Sequence, residues 1–209
     1  MEIILASASK RRHELMKVLN VPFKVIVSTD EEVYDKKKNL YEQCMDISYH
    51  KALNVYHNTD LDRVVIGADT VVIFEDKIYG KPKNKDDAYN MLKKLSGKMH
   101  EVVTGYIIIV FKDNQYSEEK SYVVTKVYFD ELSDYEIMDW INNHDACDMA
   151  GGYGIQEGFS KYVKKIDGDY FNVVGFPVNA IYQSLKKYLW QNEFVIILYK
   201  QERGRRIVI

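Results

Sequence analysis

Two periods run along this chain. Short apolar runs bounded by turn residues read as strands, and apolar positions three and four apart read as helices. "EIILAS" predicts a buried strand, followed by a helix over residues 9–19 whose apolar stripe is Leu15, Val18 and Leu19. "VPFKVIVS" predicts a second strand and "TDEEVYDKKKN" a polar loop. Residues 40–57 predict a long helix with Leu40, Cys44, Ile47, Ala52 and Val55 on a broad face. "RVVIGADTVVIFEDKIYGKP" predicts a hairpin that turns at "EDK" and stops at Pro82. A helix follows in "NKDDAYNMLKKLSG", with Asn84 as N-cap, acids in the first turn and Gly97 past its end. Strands over 101–111 and 121–129, joined by "KDNQYS", lead into a helix capped by Ser133 and Glu136. The glycine-rich "AGGYGIQEG" predicts irregular chain, "KYVKKI" a short strand, "DGD" a turn and 177–190 a last helix. The tail "EFVIILYKQERGRRIVI" predicts one further strand. Strands alternate with helices but several strand pairs are hairpins, so the expected class is α/β with a mixed sheet.

One residue breaks the pattern. In "VVIGADTVVIF" an otherwise apolar strand holds a carboxylate, Asp69. An isolated charge in apolar surroundings is costly, so Asp69 must lie at an edge or meet something cationic.

Composition narrows the setting. The 209 residues are 46% hydrophobic and 29% charged, enough for a sizeable core and unlike a disordered chain. The sequence shows no internal repeat, low-complexity segment or evident domain boundary. A net charge of -2 provides no global basic field, so nucleic acid is not an expected partner and any anion must be held by a local cluster. Cys44 and Cys147 form no CxxC pair, and "MEIILASASKRR" places its basic residues after its apolar run, the wrong order for a signal peptide. Reduced thiols and a cytoplasmic location are therefore expected. No apolar run approaches the roughly 20 residues of a membrane span, so no membrane partner is expected.

Polar residues gather at four strand ends, where open α/β sheets bind ligands. In "LASASKRR" the hydroxyls and backbone N–H groups of Ser7 and Ser9 lie at a helix N-terminus, an end suited to phosphate. Arg11 and Arg12 in its first turn oppose the helix dipole, which an anionic ligand would explain; an N-cap with two solvated arginines is the plainer alternative. Lys51, in "SYHKA", is a weak signal, because a helix lysine is usually solvated. Lys81, in "GKP", follows the hairpin that carries Asp69 and can reach the same cleft. The glycine-rich stretch adds Gln156, whose amide could read a base or ribose, and Lys164 and Lys165 add charge nearby. The two commonest nucleotide signatures, GxxxxGK[ST] and GxGxxG, are absent, as are HExxH, Cys/His zinc spacing and GxSxG. Of five histidines, His50 and His57 share a helix face without a convincing partner.

In order and spacing, "LASASKRRHEL", "SYHKA", "GADTVV", "GKP" with "AYNMLKKLSGKMHEVVTG", and "AGGYGIQEG" with "VKKIDGDYFNVVGFP" resemble the Maf family of nucleoside triphosphate pyrophosphatases. The resemblance spans residues 2–190 and implies one Maf-like domain over 1–190, with 191–209 as an extension of no assigned role. It implies an elongated mixed sheet flanked by helices, two lobes around a central cleft, as in inosine triphosphate pyrophosphatase, and often a homodimer. It implies hydrolysis of a nucleoside triphosphate to monophosphate and pyrophosphate with a divalent cation, Mg²⁺ or Mn²⁺. By position, Asp69 matches the catalytic acid and a metal ligand, and Glu32 a second metal ligand. Lys51 and Lys81 match cleft residues that bind metal or phosphates. Arg11, Thr70 and Gln156 match positions that sort substrates, and the Thr and Gln pair resembles the dTTP/UTP branch. Lys10 stands where the family usually has Pro. In this reading a metal balances Asp69. The rivals are a nucleotide- or nucleic-acid-binding regulator of cell division that does not hydrolyse, and a nucleotidyltransferase, which would need a second substrate.

Overall fold

The computed structural model describes residues 1–30, 34–35, 37–58 and 62–189. Two expectations, the metal ligand Glu32 and the strand in the tail, lie outside the described residues. Seven strands are described: β1 (Glu2–Leu5), β2 (Lys24–Val25), β3 (Arg63–Phe74), β4 (Lys77–Tyr79), β5 (Met99–Lys112), β6 (Gln115–Phe129) and β7 (Val163–Asp167). The helices are α1 (Lys10–Val18), α2 (Leu40–His57), α3 (Lys85–Leu95), α4 (Asp134–Asn143), α5 (Tyr170–Val174) and α6 (Val178–Leu189).

The strands form one sheet in the order β2-β1-β3-β5-β6-β7, with β4 also on β3. β1 runs parallel to β2 and β3, and every other pairing is antiparallel, so the sheet is mixed as expected. Three predicted segments differ. β2 has only two residues, because β1 ends at Leu5 and offers partners at Ile4 and Leu5 alone. β6 begins six residues before the predicted 121, since Asp113 and Asn114 at φ 51 and 62 make a two-residue turn between Lys112 and Gln115. Its first half is polar and mostly exposed, so backbone pairing to β5 defines it where side-chain pattern does not. In α1 the buried residues are Arg12 and Met16, whereas Val18 is 59% exposed. The short α5 was not predicted. The caps at Asn84 and at Ser133 with Glu136 form as expected.

Alternation along β3 and β5 assigns each face its cover. Val65, Val71 and Ile73 of β3 face α2, together with Val103, Ile107 and Ile109 of β5. The opposite face carries two separate apolar clusters. Val64, Ile66 and Ala68 pack with Tyr106 and Ile108 against α1 and α6, through Met16, Phe176, Ile181 and Leu185. Val72, Phe74 and Val102 pack instead against α3 and α4, around Leu92, Trp140 and Phe159. Between the clusters the same face is polar, with Thr70 directly opposite Thr104. These are the two lobes, and the polar seam is the floor of the cleft between them.

Two glycines let α2 lie against the sheet. A Cβ on Gly105, the residue paired with Asp69, would stand 2.7 Å from the backbone N of Met45. One on Gly67 would stand 2.3 Å from the backbone O of Ser48. A methyl there collides with helix backbone, which cannot rotate away. Gly105→Ala is expected to lift α2 and destabilise the fold by about 1–3 kcal/mol. Urea unfolding measures this, and an unchanged midpoint would show that α2 tolerates displacement.

Candidate active site

The cleft begins as a gap in the sheet. On one side β3 pairs with β5 from Arg63 to Ile73. On the other, β1 accompanies β3 only as far as Ile66, and β4 joins only at Val72. Residues 67–71 therefore have no strand neighbour on that edge among the described residues. A cavity of about 640 Å³ opens there, within the usual range for small-molecule sites. Its lining includes Ala6 and Ser7 just past β1, Asp69 and Thr70 in the gap, and Gly80 and Lys81 just past β4. Asp69 thus interrupts an apolar strand where the strand edge is unpaired and borders this cavity.

Asp69 is 5% exposed, and its Oδ1 accepts a 2.8 Å hydrogen bond from Lys51 Nζ on α2. The cation that balances the buried carboxylate is Lys51, the weakest of the sequence signals, and not a metal alone as expected. Lys51 is not a solvated surface residue, since its side chain is only 15% exposed. Cys44, about two turns earlier on α2, donates its thiol to the Asp69 carbonyl at 3.2 Å. Burial pushes that thiol's pKa up, so Cys44 is a neutral support and not a nucleophile.

The floor is a hydrogen-bonded network. Arg12 lies on the buried face of α1, where Nε donates to Gly175 O at 2.8 Å and Nη2 to Thr70 Oγ1 at 2.9 Å. Thr70 Oγ1 is 3.0 Å from Thr104 Oγ1, which donates to Asn172 O on α5. Arg12 and Thr70 are therefore tied to structure as well as facing the cavity. At the α1 N-terminus, Ser9 caps the backbone N–H of Arg12, and Ser7 Oγ accepts from Ser9 N at 3.2 Å. The exposed Lys10 is the first residue of α1 and lines the cavity.

The far side is the glycine-rich segment, a run of short 3₁₀ turns from Ala146 to Tyr162. Gly151 and Gly152 take φ 67 and 81, values that glycine adopts without a Cβ penalty. The segment delivers Gln156 to the cavity with two acids that sequence reading passed over, Asp148 and Glu157. Arg11 Nη2 donates to Asp148 O at 2.8 Å and Nη1 to Glu157 Oε1 at 3.3 Å, while Lys81 Nζ lies 2.6 Å from Asp148 Oδ1. Gln156 Nε2 donates to Glu157 Oε1 at 3.2 Å. Their signal in the sequence is position alone, because both acids lie within three residues of the glycines at 151 and 158. Lys164 and Lys165 are not brought in. They are exposed on β7, at the far side of the sheet, where Lys165 pairs with Asp167. His50 and His57 are exposed on α2. His100 bonds Tyr153 at 2.8 Å, and burial holds its pKa down to about 3, so it is neutral and no general base. The lining thus brings Ser7, Ser9, Arg11, Arg12, Lys51, Asp69, Thr70, Lys81 and Gln156 together around one cavity.

A family model described as Maf-like protein matches residues 2–188 of this chain. The chain belongs to the Maf family. A dTTP/UTP pyrophosphatase of Alkaliphilus oremlandii is 48% identical over 177 residues, covering 85% of this chain and 91% of that protein. Another, from Thermoanaerobacter sp., is 43% identical over 187 residues, covering 90% and 96%. Among solved structures, the Ham1 protein of Staphylococcus aureus aligns at TM-score 0.48 and 14% identity over 90% of this chain and 100% of that one. In this Maf chain, no helix among the described residues is long and apolar enough to cross a membrane.

The donor set of the Maf cleft suits a cation that its ligand helps to hold. Among the described residues no group of three His, Cys, Asp or Glu side chains could hold a metal. Asp69 supplies one hard carboxylate, and Mg²⁺ characteristically uses one or two carboxylates with substrate phosphates and water. The residues fit such a cation.

Proposed function

We propose that the protein hydrolyses nucleoside triphosphates, dTTP and UTP first among them, to the monophosphate and pyrophosphate. The observation that carries this reading is the convergence of Asp69, Lys51, Arg11 and Lys81 on one cavity in the gap of the sheet. The similarity to two dTTP/UTP pyrophosphatases supports the choice of dTTP and UTP.

In this mechanism the phosphates lie between the α1 N-terminus and the segment around Asp148. Donors at Ser7 and Ser9, with Arg11, Lys81 and the exposed Lys10, bind the phosphate oxygens and offset charge on the departing pyrophosphate. Asp69 orients the attacking water and takes its proton, and the hydrogen bond from Lys51 holds that carboxylate in place at the gap. Arg12 and the Thr70–Thr104 pair hold the floor rigid. Thr70 and Gln156 face the nucleoside and sort bases. Asp69 and Glu32 would hold Mg²⁺ or Mn²⁺, which when bound supplies Lewis-acid polarisation of the phosphate and a more acidic water. The enzyme acts in the cytoplasm, where triphosphates are found.

The test is a nucleotide panel read by phosphate release after coupling to inorganic pyrophosphatase, with and without EDTA. The expected result is turnover of dTTP and UTP with water as the sole co-substrate, lost in EDTA. Binding without release would make the protein a nucleotide-binding module instead.

A further inference from the structure

Among the described residues, the charges that line the cleft balance in number. Lys10, Arg11, Arg12, Lys51 and Lys81 are matched in number by Asp30, Asp69, Asp145, Asp148 and Glu157. A site that only had to attract a polyanion would carry one sign. Asp69 has its own partner in Lys51, but Asp148 and Glu157 sit on the two cations best placed for phosphate. Asp148 spans Lys81 Nζ at 2.6 Å and Arg11 Nη1 at 3.7 Å. Glu157 holds the same Arg11 nitrogen at 3.3 Å and also engages Gln156. Three segments far apart in sequence, the start of α1, the end of β4 and the glycine-rich segment, are thereby clasped by carboxylates in the geometry phosphate oxygens would use.

We propose that Asp148, assisted by Glu157, competes with bound phosphates for Lys81 and Arg11, so that the cleft discriminates for polyphosphate and releases pyrophosphate after cleavage. This rests on the pyrophosphatase reading of the same cleft and adds to it a pair of residues that set anion affinity. A triphosphate brings enough charge to take both cations from the carboxylates. Pyrophosphate no longer tethered to a nucleoside has lost part of that advantage, and the carboxylates reclaim their partners. The clasp is weak enough to yield, because the side chains of Lys81 and Asp148 are 62% and 54% exposed and their pairing is screened by water. A screened pair of this kind changes an affinity by up to about fivefold.

The experiment titrates inorganic pyrophosphate into the full-length protein by calorimetry and measures kcat and KM for the best triphosphate of the panel. It compares wild type with Asp148→Asn, Asp148→Glu and Glu157→Gln. Asp148→Asn is expected to bind pyrophosphate about fivefold tighter and to lower KM without raising kcat, because product leaves more slowly. Glu157→Gln is expected to shift both in the same direction by a smaller factor. Asp148→Glu, which keeps the charge, is expected to match wild type. A purely structural tether predicts the opposite sign for Asp148→Asn, weaker pyrophosphate binding and a higher KM. Either that sign or an unchanged affinity in both neutral variants overturns the proposal. Failure of the pyrophosphatase reading looks different: wild type then hydrolyses no nucleotide of the panel, while the pyrophosphate titrations still report on the clasp.

Discussion

Asp69→Asn is expected to lower kcat for dTTP or UTP by about 10²–10⁴-fold, the range for losing a positioned general base. Asn has nearly the same shape, so α2 and the gap in the sheet keep their places, and circular dichroism should be unchanged. What disappears is the charge that takes a proton from water and the hard oxygen offered to a divalent cation. Steady-state kinetics on the coupled pyrophosphate assay decide the matter. Wild-type turnover by this variant would remove Asp69 from the chemistry and leave its burial at 5% exposure without a functional reason.

The second large effect concerns stability. Lys51→Met retains a long unbranched stem at this position of α2 and removes the ammonium 2.8 Å from Asp69 Oδ1. The remaining carboxylate is buried without its counter-charge, a loss of about 3–5 kcal/mol when one partner of a buried pair is deleted. In a domain of this size each kcal/mol is worth roughly 2–4 °C in Tm, so a fall of about 6–20 °C is expected by calorimetry. The double variant Lys51→Met/Asp69→Asn should recover much of that Tm, since neither charge is then stranded, while staying inactive. If Lys51→Met melts like wild type, the pair is not what makes the buried carboxylate tolerable.

Most of the elements follow from local pattern. Asn39, Asn84 and Ser133 cap their helices through hydrogen bonds made within three residues, so chain order alone specifies them. Failures occur where the deciding contact is remote. β6 extends through exposed polar residues because β5 pairs with it along its length, and β2 stops because β1 does. In sequence Arg12 reads as an anion ligand or a solvated cation, yet it sits on the buried side of α1 and is bonded to Gly175 more than 160 positions away.

The candidate site divides in the same way. By itself the sequence determined the class of fold, the motifs that place this chain in the Maf family, and that Asp69 must lie at an edge or meet a cation. Which cation provides compensation was decided by tertiary structure alone. Lys51 reaches Asp69 because Gly67 and Gly105 admit the backbone of α2, and those glycines lie on two different strands. The tertiary structure likewise decided where the cleft opens, since a gap between the end of β1 and the start of β4 is a property of register. It also brought Asp148 and Glu157 onto Lys81 and Arg11. Charge pairing across such separations depends on folded distance, and distance between remote residues is not written in composition, spacing or period.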